Sequence, residues 1–389
     1  MAPLDQPTDP GELPYRRYGV PKLGFENYWY PIILDTELRR TPKAVRLLGR
    51  DVVLFRDGDR LFALEDRCPH RGVKLSRGQC NYPGSGTLSC PYHGWTFEGA
   101  SGRLVAALME GPDAPIVGKV EVPTYPVQAH AGLIWLWLGS MTPSKLVDDV
   151  PEWIGDQNHF YNISMYTDYR CNWRWLVDNW PQDHHAQYVH RNAPELIFQP
   201  QLPYALNLDP RPIDGNKGLA IKRSGGMTSA DYPGLGHFPK PEWWRFMKPT
   251  GRGATTGFEN SKAHRVYGIK NQSELWLPGL TVVGRLTGEY SLIQWAVPID
   301  GETTRCFNIN NWRRMGRTRE FLDRAHYYLF RRWAHDRMFS DQDKALIEST
   351  VPGPERLSRT DVGVIAWRKF AGASARRPCE DQPVKLDVA

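Results

Sequence analysis

From about Asn27 to Ser140 the apolar residues come in short runs broken by polar turns, a pattern that predicts strands rather than helices. Asp51-Val52-Val53-Leu54-Phe55 and Arg60-Leu61-Phe62-Ala63-Leu64 flank Arg56-Asp57-Gly58-Asp59, which reads as a hairpin. A further strand, Leu133 to Leu138, is bounded by Gly132 and Gly139. Residues 1–20 are rich in Pro, Asp and Gly and read as a surface arm, and Thr142 to Asp156 reads as a linker. Beyond it the pattern changes. Cys171 to His190 has helical character, Glu274–Pro278 and Ser291–Val297 read as strands, and Arg317 to Ser349 as a helix. That helix carries Phe321, Leu322, Ala325, Leu329 and Trp333 at helical spacing. The second half is therefore α+β, and the Gly- and Pro-rich interval 200–270 is the least legible part.

With 389 residues the chain has room for two or three domains. Apolar residues make up 41% and charged residues 24%, as in a soluble globular protein, and no run of 18 apolar residues exists to span a membrane. The N-terminus lacks the basic and apolar regions of a signal peptide, and six cysteines are too sparse for a disulfide scaffold, so a reducing cytoplasm is expected. The net charge of +6 comes from scattered Lys and Arg with no basic run, which argues against nucleic-acid binding. The 15 Trp and 17 Tyr suit either a core or an apolar pocket.

The candidate chemistry starts at Cys68-Pro69-His70-Arg71-Gly72 and Cys90-Pro91-Tyr92-His93-Gly94-Trp95, with 19 residues between His70 and Cys90. Each half offers one thiolate and one imidazole. Two Cys and two His suit a [2Fe–2S] cluster with Cys on one iron and His on the other, and neutral imidazoles raise its potential. Such a set also suits tetrahedral zinc, although zinc fingers usually pair like residues along the chain, and both loops here mix the types. The motif resembles that of the Rieske non-haem iron oxygenases, in their terminal oxygenase α subunits. Lys22 to Pro31, Thr124 to Gln128 and Ile365 to Lys369 look like the carbazole dioxygenase branch. Cys80 has no ligand role in that pattern and is expected to be structural.

The resemblance implies an α+β chain: a small all-β Rieske domain at 27–145 and a larger catalytic domain at 146–389. The latter has an antiparallel sheet covered by helices in a helix-grip, START-like arrangement, with residues 1–26 as an arm packing on it. It also implies a mononuclear Fe(II) held by two His and one carboxylate. His185-Ala186-Gln187-Tyr188-Val189-His190 is similar to the aromatic O-demethylase branch (dicamba- and vanillate-type), whose ligands lie five apart. By that match His185 and His190 are the ligands, with His184 as competitor. Five residues turn an ideal helix by about 140° from one ring to the next, so the helix must distort or end there. Asp341-Gln342-Asp343 resembles the family segment carrying the third ligand, which gives Asp343, with Asp341 as fallback.

The family places an Asp three residues before the first iron-binding His, bridging the two metal sites of neighbouring subunits. Gln182 stands there in this chain, with Asp183 next to it and Asn179 one turn earlier. On an ideal helix Gln182 shares a face with His185, whereas Asp183 points about 200° away. Asp183 is the favoured bridge because a carboxylate holds two imidazoles by charge-assisted bonds; Gln182 is the alternative.

No Gly-rich fingerprint for flavin or NAD(P)H follows a predicted strand, and Gly251 to Gly257 reads as loop. Electrons are thus expected from a separate ferredoxin or reductase, and the resemblance implies a head-to-tail homotrimer. The expected activity is hydroxylation of an aromatic or polycyclic apolar compound with O2, with oxidative O- or N-demethylation second and a non-catalytic Rieske electron carrier a remote third. Trp180, Trp276, Leu277, Ile293 and Trp295 are candidates to line the substrate pocket.

Overall fold

The computed structural model describes residues 13–182, 185, 189–190, 204–213, 215, 217–227, 231–232, 236–237, 272–287 and 289–377. The chain divides into two compact units, one built on Leu23–Gly155 and one on Asp156–Ala296 and Glu302–Ala375. Residues 13–22 also belong to the second unit. Among the described residues no helix is long and apolar enough to cross a membrane.

The first unit is all-β in its strands, with three three-stranded sheets. The hairpin read from the sequence is present: Arg50–Asp57 pairs with Arg60–Glu65, Val53 opposite Leu64 and Phe55 opposite Phe62. A second sheet joins Thr87–Ser89, Trp95–Glu98 and Leu104–Ala107. Their inward residues, among them Val53, Phe55, Leu64, Leu88, Phe97 and Leu104, make one core that also takes in Cys68 and Cys90. The stretch expected to be a linker is packed instead. Short helices at Leu146–Asp149 and Glu152–Gly155 bury Leu146, Val150, Trp153 and Ile154, and the Ile154 carbonyl lies 2.8 Å from His130 Nε2. Four apolar side chains within nine positions gain more by burial than a solvated linker allows.

The second unit holds a seven-stranded sheet in the order Phe160–Tyr169, Thr304–Arg313, Tyr290–Pro298, Leu280–Thr287, Gln272–Trp276, Gly218–Met227, Tyr204–Pro212. Hairpin-type antiparallel pairing sets its register: Thr167 faces Cys306, Thr281 faces Gln294, and Leu275 faces Thr281.

The C-terminal helix read from its spacing is present, with irregular geometry. It is helical from Arg317 to Ile347, but two stretches, Tyr327–Arg331 and Ala334–Phe339, are π-helical. Phe321, Leu322, Leu329 and Trp333 are exposed, Leu329 to 84%, so the apolar stripe does not face the core. The buried residues are Tyr327, Ala334, His335, Asp336, Ser340, Asp343 and Ile347. Each π turn takes an extra residue and rotates the following side chains, so a 3.6-residue periodicity no longer tracks one face. The sheet accepts this polar face with polar groups of its own. Asn308 Nδ2 lies 3.4 Å from Ser340 Oγ and 3.5 Å from Asp336 Oδ1, and Tyr327 donates to Asp336 Oδ2 at 2.6 Å. Gln294 Nε2 donates to Asn308 Oδ1 at 3.1 Å.

A buried ion network ties the arm and two helices together. Arg368, on the helix Val362–Ser374, donates to Asp178 Oδ2 at 2.6 Å and to Glu355 at 2.6 and 2.8 Å. Tyr15 donates to the same Asp178 oxygen at 2.5 Å, and the guanidinium groups of Arg174 and Arg368 lie over its ring at 4.3 and 4.4 Å. Breaking one partner leaves a carboxylate stranded in the core. Arg368→Leu should therefore lower unfolding free energy by roughly 3–5 kcal/mol in a denaturant titration, and Arg368→Leu combined with Asp178→Leu should cost less than the two single changes summed.

Candidate metal centres

The two Cys/His loops share one backbone frame. In the first, the Cys68 N–H donates to Val73 O at 2.8 Å and the Gly72 N–H to Cys68 O at 2.8 Å. In the second, the Cys90 N–H donates to Trp95 O at 2.7 Å and the Gly94 N–H to Cys90 O at 3.2 Å. Each loop closes on a glycine in the left-handed region, with φ of +76° at Gly72 and +69° at Gly94, where a side chain would be strained. The frames match although the His sits two residues after Cys68 and three after Cys90. The result is a pair of thiols and a pair of rings facing one another. The His70 and His93 ring centroids are 4.7 Å apart, and His70 stacks on Trp95 at 4.6 Å.

The thiols are buried in the core and His70 is exposed. Burial, reinforced by the adjoining Cys90 thiol, pushes the Cys68 thiol up to about 11. Two thiols in contact with each other beside two adjacent imidazoles fit the donor set of a [2Fe–2S] cluster with mixed ligation. Cys80 is half-buried against the same core, and no role brings it to the ring pair.

The second centre joins residues far apart in sequence. His185, His190 and Asp343 each offer a donor atom, and these atoms all lie within 4.8 Å of one another. Asp343 Oδ1 is 3.4 Å from His185 Nε2 and 3.2 Å from His190 Nε2, and the two rings meet edge-on at 5.2 Å. His185 Nδ1 donates to the main-chain carbonyl of Gln182, and His190 Nδ1 to Gln342 Oε1 at 3.1 Å. Both outer nitrogens are thereby engaged, and both Nε2 atoms turn toward the carboxylate. His190 Nε2 and Asp343 Oδ1 are buried with no hydrogen-bond partner, a costly arrangement that a cation between them relieves. An anionic carboxylate with two imidazoles is the facial donor set of non-haem iron.

The other sequence candidates fall as follows. Asp183 and His184 lie outside the described residues. The Gln182 carbonyl engages His185, and Gln182, with Asn179, Asp178 and Trp175, lines a cavity of about 310 Å³. Asp341 is exposed and does not join the cluster, and Trp180 and Leu277 are buried. Ile293, Trp295 and Trp276 require a correction. Gln294 and Asn308 face the helix that bears Asp343, so Ile293 and Trp295, one position off, point to the opposite side of the sheet. Trp276 pairs with Leu280, which pairs with Trp295, and shares that opposite side. Missed from sequence were Phe339, stacked on the His190 ring at 3.6 Å, and Gln342. Only the adjacency of Gln342 to Asp343 signalled the latter.

Residues 28–126 match the Rieske [2Fe-2S] domain family, and residues 137–377 match the homotrimeric ring hydroxylase family. The chain belongs to the ring-hydroxylase family of Rieske oxygenases. It is 30% identical over 368 residues to the terminal oxygenase component CarAa of carbazole 1,9a-dioxygenase from Sphingomonas sp., covering 91% of this chain and 93% of that one. It is 32% identical over 196 residues to the 5,5'-dehydrodivanillate O-demethylase oxygenase subunit of Sphingobium sp. (strain NBRC 103272 / SYK-6), covering 48% and 44%. The terminal oxygenase of carbazole 1,9a-dioxygenase from Nocardioides aromaticivorans IC177 superposes with a TM-score of 0.78 at 26% identity, covering 93% and 98%. A fluorene-bound oxygenase in complex with ferredoxin, also of carbazole 1,9a-dioxygenase, gives 0.75 at 26% identity, covering 92% and 93%. The ring hydroxylase is thus a terminal oxygenase component, an oxidoreductase whose cofactors are a Rieske [2Fe–2S] cluster and non-haem iron.

Because the Cys68 thiol holds its proton to about 11, assembly of the cluster must release protons. Reconstitution of the metal-free chain with iron and sulfide, followed by visible absorbance, should go further at about pH 8.5 than at about pH 6.5. Cys80→Ser should reconstitute like the wild type and Cys68→Ala should not.

Proposed function

We propose that this ring hydroxylase hydroxylates an aromatic or polycyclic apolar compound, with residues 27–145 relaying electrons and residues 146–389 carrying the oxygen chemistry. The observation that carries this reading is the similarity to a carbazole dioxygenase component through nearly the full length of both chains. In this reading Cys68 and Cys90 hold one iron of the cluster, His70 and His93 hold the other, and His185, His190 and Asp343 hold the mononuclear iron. When bound, the two centres supply one-electron transfer and oxygen activation.

The protein's own groups do the positioning. Burying the thiols and exposing His70 presents the imidazole side of the cluster site to an electron donor. Asp343 brings a negative charge to a site otherwise built from imidazoles. Phe339 covers one face of His190 and keeps water from it. The donor is a separate ferredoxin or reductase fed by NAD(P)H, as the ferredoxin complexes of solved relatives suggest, and the chain's net charge of +6 suits an acidic partner.

The chain assembles head to tail as a homotrimer, the state named in the family's description, with Asp183 or Gln182, assisted by Asn179, bridging the metal sites of neighbouring subunits. Its setting is the cytoplasm, consistent with five described cysteines that are all free. A second reading, oxidative O-demethylation, is favoured by the partial similarity to the dehydrodivanillate O-demethylase subunit.

Incubation of the holoenzyme with a ferredoxin, its reductase, NADH and ¹⁸O2 distinguishes the readings. Carbazole or fluorene should yield a hydroxylated product carrying ¹⁸O, and a methoxylated aromatic should release no formaldehyde. Formaldehyde formed in step with consumption of the methoxylated compound, with carbazole and fluorene untouched, would overturn the first reading in favour of the second.

A further inference from the structure

We infer that Gln342 is the positioning residue that fixes the tautomer and orientation of His190, so that one dipeptide, Gln342-Asp343, grips both nitrogens of that ring. The inference rests on the reading of His185, His190 and Asp343 as iron ligands.

His190 is wholly buried, and three groups from one helix surround its ring. Gln342 Oε1 lies 3.1 Å from Nδ1, Asp343 Oδ1 lies 3.2 Å from Nε2, and Phe339 stacks on the face at 3.6 Å with the planes 15° apart. An amide oxygen only accepts, so Nδ1 carries the proton and Nε2 keeps its lone pair. That lone pair points at the buried, unpartnered edge of the site. Neighbouring residues of a helix diverge by about 100°, so gripping one ring from both ends requires the ring to lie across the helix between the two side chains. The stack on Phe339, four residues before Asp343, holds it there.

The two histidines are therefore held differently. A main-chain carbonyl holds His185, which no side-chain substitution removes, whereas a replaceable side chain holds His190. A neutral amide polarises the N–H less than a carboxylate does, so the residue at 342 sets how strongly His190 donates to a metal.

The test titrates full-length metal-free chain with ferrous iron against a competing chelator and measures the midpoint potential of the mononuclear iron. Gln342→Leu should bind ferrous iron about 10- to 100-fold more weakly than wild type. Gln342→Glu, close in shape, should retain iron with a lower midpoint potential, and it decides the matter even where Gln342→Leu destabilises the helix. The melting temperature of the metal-free Gln342→Glu chain should match wild type, which a purely structural role does not explain. Wild-type affinity and potential in both variants would overturn the inference. Asp343→Ala is the control: loss of iron there with no effect at 342 sinks only the role of Gln342, whereas iron retained in Asp343→Ala sinks the ligand assignment itself.

Discussion

A carboxylate oxygen and an imidazole nitrogen lie buried 3.2 Å apart in this protein, each without a hydrogen-bond partner. Folding tolerates such a pair only where something else compensates, because each unmet buried polar atom costs about 1–3 kcal/mol. The surrounding structure holds the arrangement open rather than relieving it. The outer nitrogens of His185 and His190 are engaged by Gln182 and Gln342, which turns the inner nitrogens toward Asp343. The π-helical turns before Ser340 rotate the helix so that Asp343 faces inward, and Asn308 on the sheet secures the neighbouring Ser340. A cation at this point converts a local cost into the site's reason for existing.

The two metal centres are built on opposite principles. The Cys/His loops are local: each is a closed turn whose hydrogen bonds and glycine are contained within six residues, and the sheets below supply only a core for the thiols. The candidate mononuclear centre is assembled over long range, from residues after the Trp173–Asn179 helix and from a helix about 150 positions later. A local site tolerates mixed ligand order because the backbone frame repeats. A long-range site depends on the register of a helix against a sheet, and here that register is set by polar contacts among Asp336, Asn308 and Gln294.

That difference explains what the amino-acid sequence disclosed. Cys68, His70, Cys90 and His93 were legible with their glycines because every determinant is close in the chain. His185, His190 and Asp343 were reached through family likeness, since no periodicity links them. The helix from Arg317 was legible from its apolar spacing, but its buried face was not, because the π turns shift that face onto polar residues. Ile293 and Trp295 misled for a related reason. Strand residues alternate, both sides of the two central strands Tyr290–Pro298 and Thr304–Arg313 are buried, and the side looking toward Asp343 carries Gln294 and Asn308 rather than the apolar pair. Hydrophobicity alone does not separate a strand's two faces when neither meets water.

The central claim is that one chain holds iron in both of these places. Anomalous X-ray scattering recorded on either side of the iron absorption edge, from crystals of anaerobically prepared holoenzyme, tests it most directly. The account predicts a paired iron peak among Cys68, His70, Cys90 and His93 and a separate single peak among His185, His190 and Asp343. A zinc signal in the first place, or no metal in the second, would contradict it.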